Sequence, residues 1–481
     1  MIVPMSRLPS RATIRAATRQ ALRSRADQVF SRSAGAPLIP GNHVRVLRDA
    51  AENYPAWEEA IRRARSSIHL EMYIIHRDPT GRRFIDLLAA RARDGINVRV
   101  IYDWFGCGWS PLFGLFRPLV AAGGEVRVFN PPRLTAALGW TQRNHRKYLC
   151  VDGDVTYIGG LCIGQMWTGR PEKQQDPWRD TAVEIRGPAT AYGERGFAES
   201  WRFAGGDIPD MLPDNAPAAD AGSTDVRLIY TEPFSATMLR VDLLVAAMAR
   251  ERLWIADAYF IGHGPYVAAL LEAAHDGVDV RLLLPQGSDV GFTVPLSRTL
   301  YRTLLDAGVR IFEWNGSMMH AKTAVADGRW ARIGSTNLNL NSWVGNWELD
   351  VALEDAAVAR TMEAHFEADI ANSTEILFAG RRRIRAAGGL RRRGRARRSA
   401  RRALRTVTGV GHSIGAAALG ARQLEHWESL PLVVVGVVCL GIAALGFWKP
   451  VVLAWPALLI SAWIGLSFLA EAFGLARRRE S

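Results

Sequence analysis

The chain has 481 residues, a formal net charge of +13 and four cysteines. Thirteen arginines and no acid lie between Arg381 and Arg405, so the rest of the chain carries no net charge, which excludes a basic nucleic-acid-binding surface spread over the whole molecule. Cys107, Cys150, Cys162 and Cys439 form no CxxC pair and sit in apolar or glycine-rich stretches, which excludes a disulfide framework and fits reduced thiols in a reducing compartment.

In chain order, residues 1–35 form a basic arm. Arg7, Arg11, Arg15, Arg19 and Arg23 recur every fourth residue beside Ala, Ile and Leu. The stripe is either an interfacial amphipathic helix or a solvated arm. It has no apolar h-region or cleavage site, so no secretory signal is expected. Residues 36–204 open a first α/β region. AIRRARSSIHLEMYII predicts a helix running into a strand, ARDGINVRVIYD a glycine-ended helix entering a buried β-branched strand, and RPLVAAGGEVRVFN a third such unit. Then comes NHRKYLCVDG, with His145, Lys147 and Asp152, followed by Gly159-Gly160.

Residues 205–224, rich in Pro, Gly, Asp and Ala, read as a linker. Across residues 225–375 the same series returns as AMARERLWIADAYFI, AHDGVDVRLLLP and RTLLDAGVRIFEWN. It ends in MMHAKTAVADG, with His320, Lys322 and Asp327, followed by Gly334-Ser335. An ordered series of matches predicts a duplicated α/β fold, with one α/β sandwich per half. After the arginine-rich segment (376–428), Leu430–Trp448 and Pro450–Ala470 are apolar runs separated by Lys449, within a predicted transmembrane helical hairpin over 429–472. A basic tail, 473–481, carries Arg477, Arg478 and Arg479. Basic residues on both outer sides place both ends of the hairpin in the cytoplasm.

The doubled His-x-Lys-x-x-x-x-Asp pattern carries the chemistry. On a strand, residues i and i+2 face the same side, so each histidine presents with its lysine. Two imidazoles and two ammonium groups around one phosphate suffice to cleave a phosphodiester without a metal. Histidine serves as nucleophile or general acid, and lysine supplies positive charge where negative charge grows. Asp152-Gly153 and Asp327-Gly328 are type I′ hairpin signals, so the aspartates are expected to work as turn residues and to take no part in bond breaking.

At these motifs the chain resembles the phospholipase D superfamily and, within it, the bacterial cardiolipin synthases. The resemblance runs from Gly41 to Ile370 and is carried by GNHVRVLRDAAENYPAWEEAI, LEMYII, DGINVRVIYD, HRKYLCVDG, PWRDTAVEIRGP, HAKTAVADG, IGSTNLN and NWELDVALED. It implies a pseudo-twofold active site between the halves and a catalytic set of His145, Lys147, Asp152, His320, Lys322 and Asp327. One histidine forms a phosphohistidine and the other protonates the departing alcohol, with His145 assigned as nucleophile and His320 as acid/base. Lys147, Lys322, Asn337 and Ser335 are implied to bind the phosphate, while Asp180 and Glu348 orient the histidine rings. One position departs from the family pattern: Cys162 stands in the first half where Asn337 stands in the second. A thiol does not replace an amide donor.

The resemblance implies a phosphatidyltransferase that uses phosphatidylglycerol as donor and acceptor, with no metal or organic cofactor. Its partners would be anionic phospholipid and membrane, without nucleic acid. The expected location is the bacterial inner membrane, multi-pass, with the catalytic part in the cytoplasm. A hydrolytic phospholipase D, a superfamily nuclease and an inactive membrane scaffold are the alternative readings. Trp104 and Trp109, in DWFGCGW, either line an acyl-chain entrance or simply pack.

Overall fold

The computed structural model describes residues 27–132, 142–207 and 219–377. The arginine stripe at the N-terminus, the middle of the expected linker, the arginine-rich segment beyond residue 377, the apolar pair and the basic tail lie outside the described residues.

The first half contributes strands β1 (Ile39–Arg48), β2 (Ser67–Met72), β3 (Asn97–Asp103), β4 (Glu125–Phe129), β5 (Lys147–Val151), β6 (Val155–Gly159) and β7 (Thr181–Arg186). Its long helices are α1 (Asp49–Arg63), α2 (Pro79–Arg93) and α3 (Ala189–Phe203). The second half supplies β8 (Thr224–Thr231), α4 (Thr237–Met248), β9 (Arg252–Ala256), α5 (Gly264–His275) and β10 (Asp279–Pro285). It continues with β11 (Arg310–Trp314), β12 (Thr323–Ala326), β13 (Trp330–Gly334), β14 (Glu348–Leu353), α6 (Ala356–Ala371) and β15 (Ser373–Glu375).

Local chemistry sets these boundaries in matching ways. Asp78 caps α2 by accepting from the Gly81 N–H at 2.9 Å, with Pro79 at the first helical position. At its far end Gly95 adopts φ 85° and the Ile96 N–H closes on the Arg91 carbonyl at 3.1 Å. Gly277 ends α5 the same way, with φ 92° and the Val278 N–H on the Ala273 carbonyl at 3.0 Å. Both are glycine-terminated helix ends that release the chain into a buried strand. The parallel neighbours β2 and β3 need a crossover between them, and α2 is that crossover; α5 does the same for β9 and β10.

The strands of the described residues run in the order β15-β11-β10-β9-β12-β13-β14-β8-β1-β7-β6-β5-β2-β3-β4. Read outward from the β8–β1 junction, the seven strands of the first half each meet a counterpart in the second, and β15 is added at the far edge of the second. The duplication expected from the repeated segments is therefore a pseudo-twofold of the structure. Two apolar cores cover the outer faces, one per half, around Trp57, Leu88 and Leu149 and around Val241, Leu270 and Leu282. A third lies between the halves, where Tyr148, Ile158, Val183 and Trp201 pack with Leu228, Ile333, Val351 and Phe366. Burying one such side chain is worth about 1.5–3 kcal/mol, so a core built from both halves makes their separation costly.

The β5–β6 and β12–β13 hairpins turn at Asp152-Gly153 (φ 57° and 68°) and Asp327-Gly328 (φ 51° and 64°), left-handed at both central positions as a type I′ turn requires. The side chain of Asp152 accepts from the Arg65, Ser66 and Ser67 N–H groups; that of Asp327 accepts from Arg250, Glu251 and Arg252. Each aspartate thus ties its hairpin to the start of the neighbouring strand, β2 or β9.

Candidate active site

Each motif histidine lies just before a strand and is held there by the opposite half. The His145 N–H donates to the Trp347 carbonyl at 2.8 Å, and the His320 N–H to the Arg179 carbonyl at 2.8 Å. The residues after those two carbonyls are Glu348 and Asp180. Their carboxylates therefore cross between halves: Glu348 Oε2 lies 2.8 Å from His145 Nδ1, and Asp180 Oδ2 lies 2.6 Å from His320 Nδ1. Sequence reasoning named both carboxylates as ring-orienting groups without assigning either to a ring. The crossing arises from the backbone bridges at the seam.

The lysines follow at i+2. Lys147 Nζ donates to the His145 carbonyl at 2.5 Å and lies 5.2 Å from the ring centre of Tyr73. Lys322 Nζ donates to the His320 carbonyl and lies 5.7 Å from the Tyr259 ring. The tyrosines also meet the imidazoles edge-on, Tyr73 against His145 at 4.9 Å and Tyr259 against His320 at 6.1 Å. Neither tyrosine was singled out from sequence, although LEMYII and ADAYFI hold them at equivalent places. Trp167 and Trp178 add further aromatic walls beside His320, 5.6 and 5.2 Å away.

Burial dominates the electrostatics. It pushes His145 down to about 4, against the pull of Glu348, and His320 down to about 4, helped by the Lys322 ammonium. Burial also lowers Lys147, and it lowers Lys322 to about 8. Desolvation alone would raise Asp180 and Glu348, but His320 and Lys322 beside the first, and His145 and Lys147 beside the second, hold both below the ordinary carboxylate range. At neutral pH each ring is thus neutral with Nδ1–H donated to an ionised carboxylate, leaving the lone pair on Nε2.

The glycine step is asymmetric for a physical reason. Ser335 is fully buried and its hydroxyl donates to Glu348 Oε2 at 2.6 Å, the same oxygen that meets His145 Nδ1. In the first half a Cβ on Gly160 would meet Asp180 Oδ1 at 2.1 Å, so a serine there collides with the carboxylate. Asn337 is buried, with Oδ1 lacking a hydrogen-bond partner among the described residues and Nδ2 3.5 Å from Ser342 Oγ. Cys162 is also buried; burial pushes its thiol up while Lys147 and Lys322 pull it down, which places it within the field of both ammonium groups. Asp152 and Asp327 are not among the groups brought together here. They sit at the hairpin turns, five residues past each lysine.

The centre offers positive charge, two nucleophile-competent nitrogens and two oriented proton relays. Two lysines make it a site for an anion, and the described residues hold no group of ligands suited to a metal ion.

Duplicated halves that lend each other a carboxylate, with a His-x-Lys strand from each, define a phospholipase D-like protein. The fold is shared with phosphatidylserine synthase of Haemophilus influenzae Rd KW20, which superposes with a TM-score of 0.57 at 13% identity over 73% of this chain and 92% of that one. Residues 58–166 and 245–370 match the family model described as cardiolipin synthase, PLD-like domain. Cardiolipin synthase of Alkalihalophilus pseudofirmus is 31% identical over 71% of this chain and 69% of its own length. Cardiolipin synthase A of Pseudomonas fluorescens is 33% identical over 71% of each. The chain belongs to the cardiolipin synthase family of phospholipase D-like proteins.

Proposed function

We propose that this protein is a phosphatidyltransferase that makes cardiolipin from two phosphatidylglycerol molecules. The observation that carries the reading is the crosswise pairing of His145 with Glu348 and His320 with Asp180 around Lys147 and Lys322. His145 Nε2 attacks the phosphorus of one phosphatidylglycerol, the P–O bond to the glycerol headgroup breaks, and His320 gives that oxygen its proton. Glycerol leaves and the phosphatidyl group stays on His145. A hydroxyl of a second phosphatidylglycerol then loses its proton to His320 and attacks phosphorus, which forms cardiolipin and frees His145.

The acid needed in the first step follows from charge. Burial and the Lys322 ammonium hold His320 neutral in the free protein. A bound phosphodiester anion offsets that ammonium charge, which raises the imidazole pKa and favours the protonated ring when the leaving group needs it. The carboxylates of Asp180 and Glu348 then stabilise whichever ring is charged. Asn337 joins the lysines at the phosphate oxygens, and Ser335 acts through Glu348.

Residues 36–204 and 225–375 act as the paired halves of this enzyme. The apolar runs Leu430–Trp448 and Pro450–Ala470 support the reading of 429–472 as a membrane hairpin, and the arginine-rich sequence before them suits anionic headgroups at about 1 kcal/mol per basic residue. The enzyme works at the bacterial inner membrane, multi-pass, with the catalytic part in the cytoplasm. No nucleic acid is required.

The test is mass spectrometry of lipids after the purified protein meets phosphatidylglycerol bilayers in EDTA, beside His145→Ala. Cardiolipin and glycerol, absent in the variant, are expected. Phosphatidic acid in their place would replace this reading with a hydrolase, and turnover only after metal addition would remove the metal-free mechanism.

A further inference from the structure

Two loops that follow equivalent strands carry large apolar side chains into solvent. After β3, Phe105, Trp109, Leu112 and Phe113 are 60–73% exposed. After β10, Phe292 is 67% and Leu296 42% exposed. Trp109 thus neither packs inside nor lines an enclosed passage. Apolar side chains grouped at loop tips mark a surface that meets something else.

Both loops are fastened to the site. Gly106 lies against Tyr73, where a Cβ would meet the Tyr73 carbonyl at 2.1 Å, and Tyr73 packs on His145 and Lys147. On the other side, the Tyr259 hydroxyl donates to Asp289 Oδ1 at 2.7 Å, and Tyr259 packs on His320 and Lys322. The pseudo-twofold therefore sets one apolar tip on each flank of the histidine pair. The first loop has no acid from Trp104 to Val120, and it has cations beside its apolar tip: exposed Arg117, and Arg77 standing 6.0 Å over the Phe113 ring.

We propose that these two loops are the docking face for an anionic phospholipid bilayer, inserting their apolar tips on either side of the site. The inference rests on the phosphatidyl-transfer reading, because a diacyl substrate keeps its acyl chains in the bilayer while its phosphate reaches the histidines. Aromatic side chains suit the interfacial depth, and Arg77 and Arg117 at the base of the first loop suit anionic headgroups. The pairing of the first apolar tip with Arg77 and Arg117, on the flank of an anion site, selects a lipid surface over a second copy of this chain.

The experiment places an environment-sensitive fluorophore on the full chain in phosphatidylglycerol bilayers, through Trp109→Cys or Phe292→Cys. Cys439→Ser removes the native thiol outside the described residues, while Cys107, Cys150 and Cys162 are buried. Glu251→Cys, at the opposite end of the strands, is the control. Both loop positions are expected to shift to the blue and to lose emission to nitroxide-bearing lipid, as groups seated at the acyl boundary are reached by it, while the control does neither. Aqueous emission at both loop positions would overturn the docking face. So would a blue shift that follows protein concentration without quenching by lipid, which would assign the tips to a second copy. The readout needs no turnover. Loops in lipid without cardiolipin formation would refute the proposed reaction alone, and cardiolipin formation with both labels in water would refute the docking face alone.

Discussion

At the scale of single residues, the site is governed by how little room surrounds two carboxylates. Gly160 is glycine because Asp180 occupies the place of its missing Cβ. Gly160→Ala is expected to push Asp180 off His320, to lower kcat about ten-thousandfold, as spoiling a triad carboxylate does, and to lower the unfolding midpoint as well, because a buried carboxylate loses a partner. Steady-state kinetics beside Asp180→Asn check it, and a Gly160→Ala enzyme within twofold of the parent would refute the crowding. Phosphate binding is expected to be lopsided. Asn337→Ala should cost roughly a hundredfold in kcat, as removal of a positioned amide donor does, whereas Cys162→Ala should change it little, because a thiol is a weak donor. Equal losses in the two variants would show that the halves share the phosphate evenly.

At the scale of elements, the motif aspartates organise hairpins. Asp152 accepts three backbone N–H groups and the Ser66 hydroxyl at the start of β2, the nearest of them at 2.7 Å. Asp152→Ala removes these acceptors at a partly exposed position and should destabilise the protein by about 1–3 kcal/mol. Denaturant unfolding would register that loss, while kcat of the folded fraction should hold. A collapse of kcat with stability intact would instead assign Asp152 to the chemistry. The series of helix ends and turns belongs to the same scale: Gly95 with Gly277, and Gly153 with Gly328, occupy left-handed positions at which a side chain is strained.

At the scale of the whole molecule, the seam between halves joins structure to pH response. Arg179, buried and adjacent to Asp180, pairs with Asp369 on α6 at 2.9 Å and with Asp49 at 3.2 Å, so one cation ties the halves beside the site. Asp369→Ala takes one of two carboxylates from buried Arg179, and because Asp49 still pairs with it the cost should be about 1.5–3 kcal/mol, read as a lower unfolding midpoint. The buried histidines add a pH term. Their ordinary value is 6.5 and burial lowers both to about 4. Between pH 6.5 and 4 the unfolded chain binds protons that the folded chain refuses, so stability falls as pH drops through that window and is restored above it. Unfolding midpoints measured across that range should slope accordingly, and His145→Asn with His320→Asn should flatten the slope. An unchanged slope in the double variant would place the acid sensitivity elsewhere.

Much of this was legible in the linear chain, because the properties concerned are local. His145 with Lys147 and His320 with Lys322 stay together because only one residue parts them in the extended run that leads into β5 or β12. The Asp-Gly pairs specify their turns through left-handed backbone preference, and the repeated helix–strand segments declare a duplication. Asp180 and Glu348 were marked as partners of the rings only by the family resemblance, and the chain order suggested no crossing. Tertiary structure decided that crossing, because the bridges Asn144 to Trp347 and Arg179 to Met319 form only when the halves meet. It also set Ser335 against Glu348, showed Gly160 to be a matter of space, brought Tyr73 and Tyr259 onto the His-Lys pairs, and left Trp109 and Phe292 exposed. Each of these depends on distances between residues far apart in the chain, which periodicity and spacing do not encode.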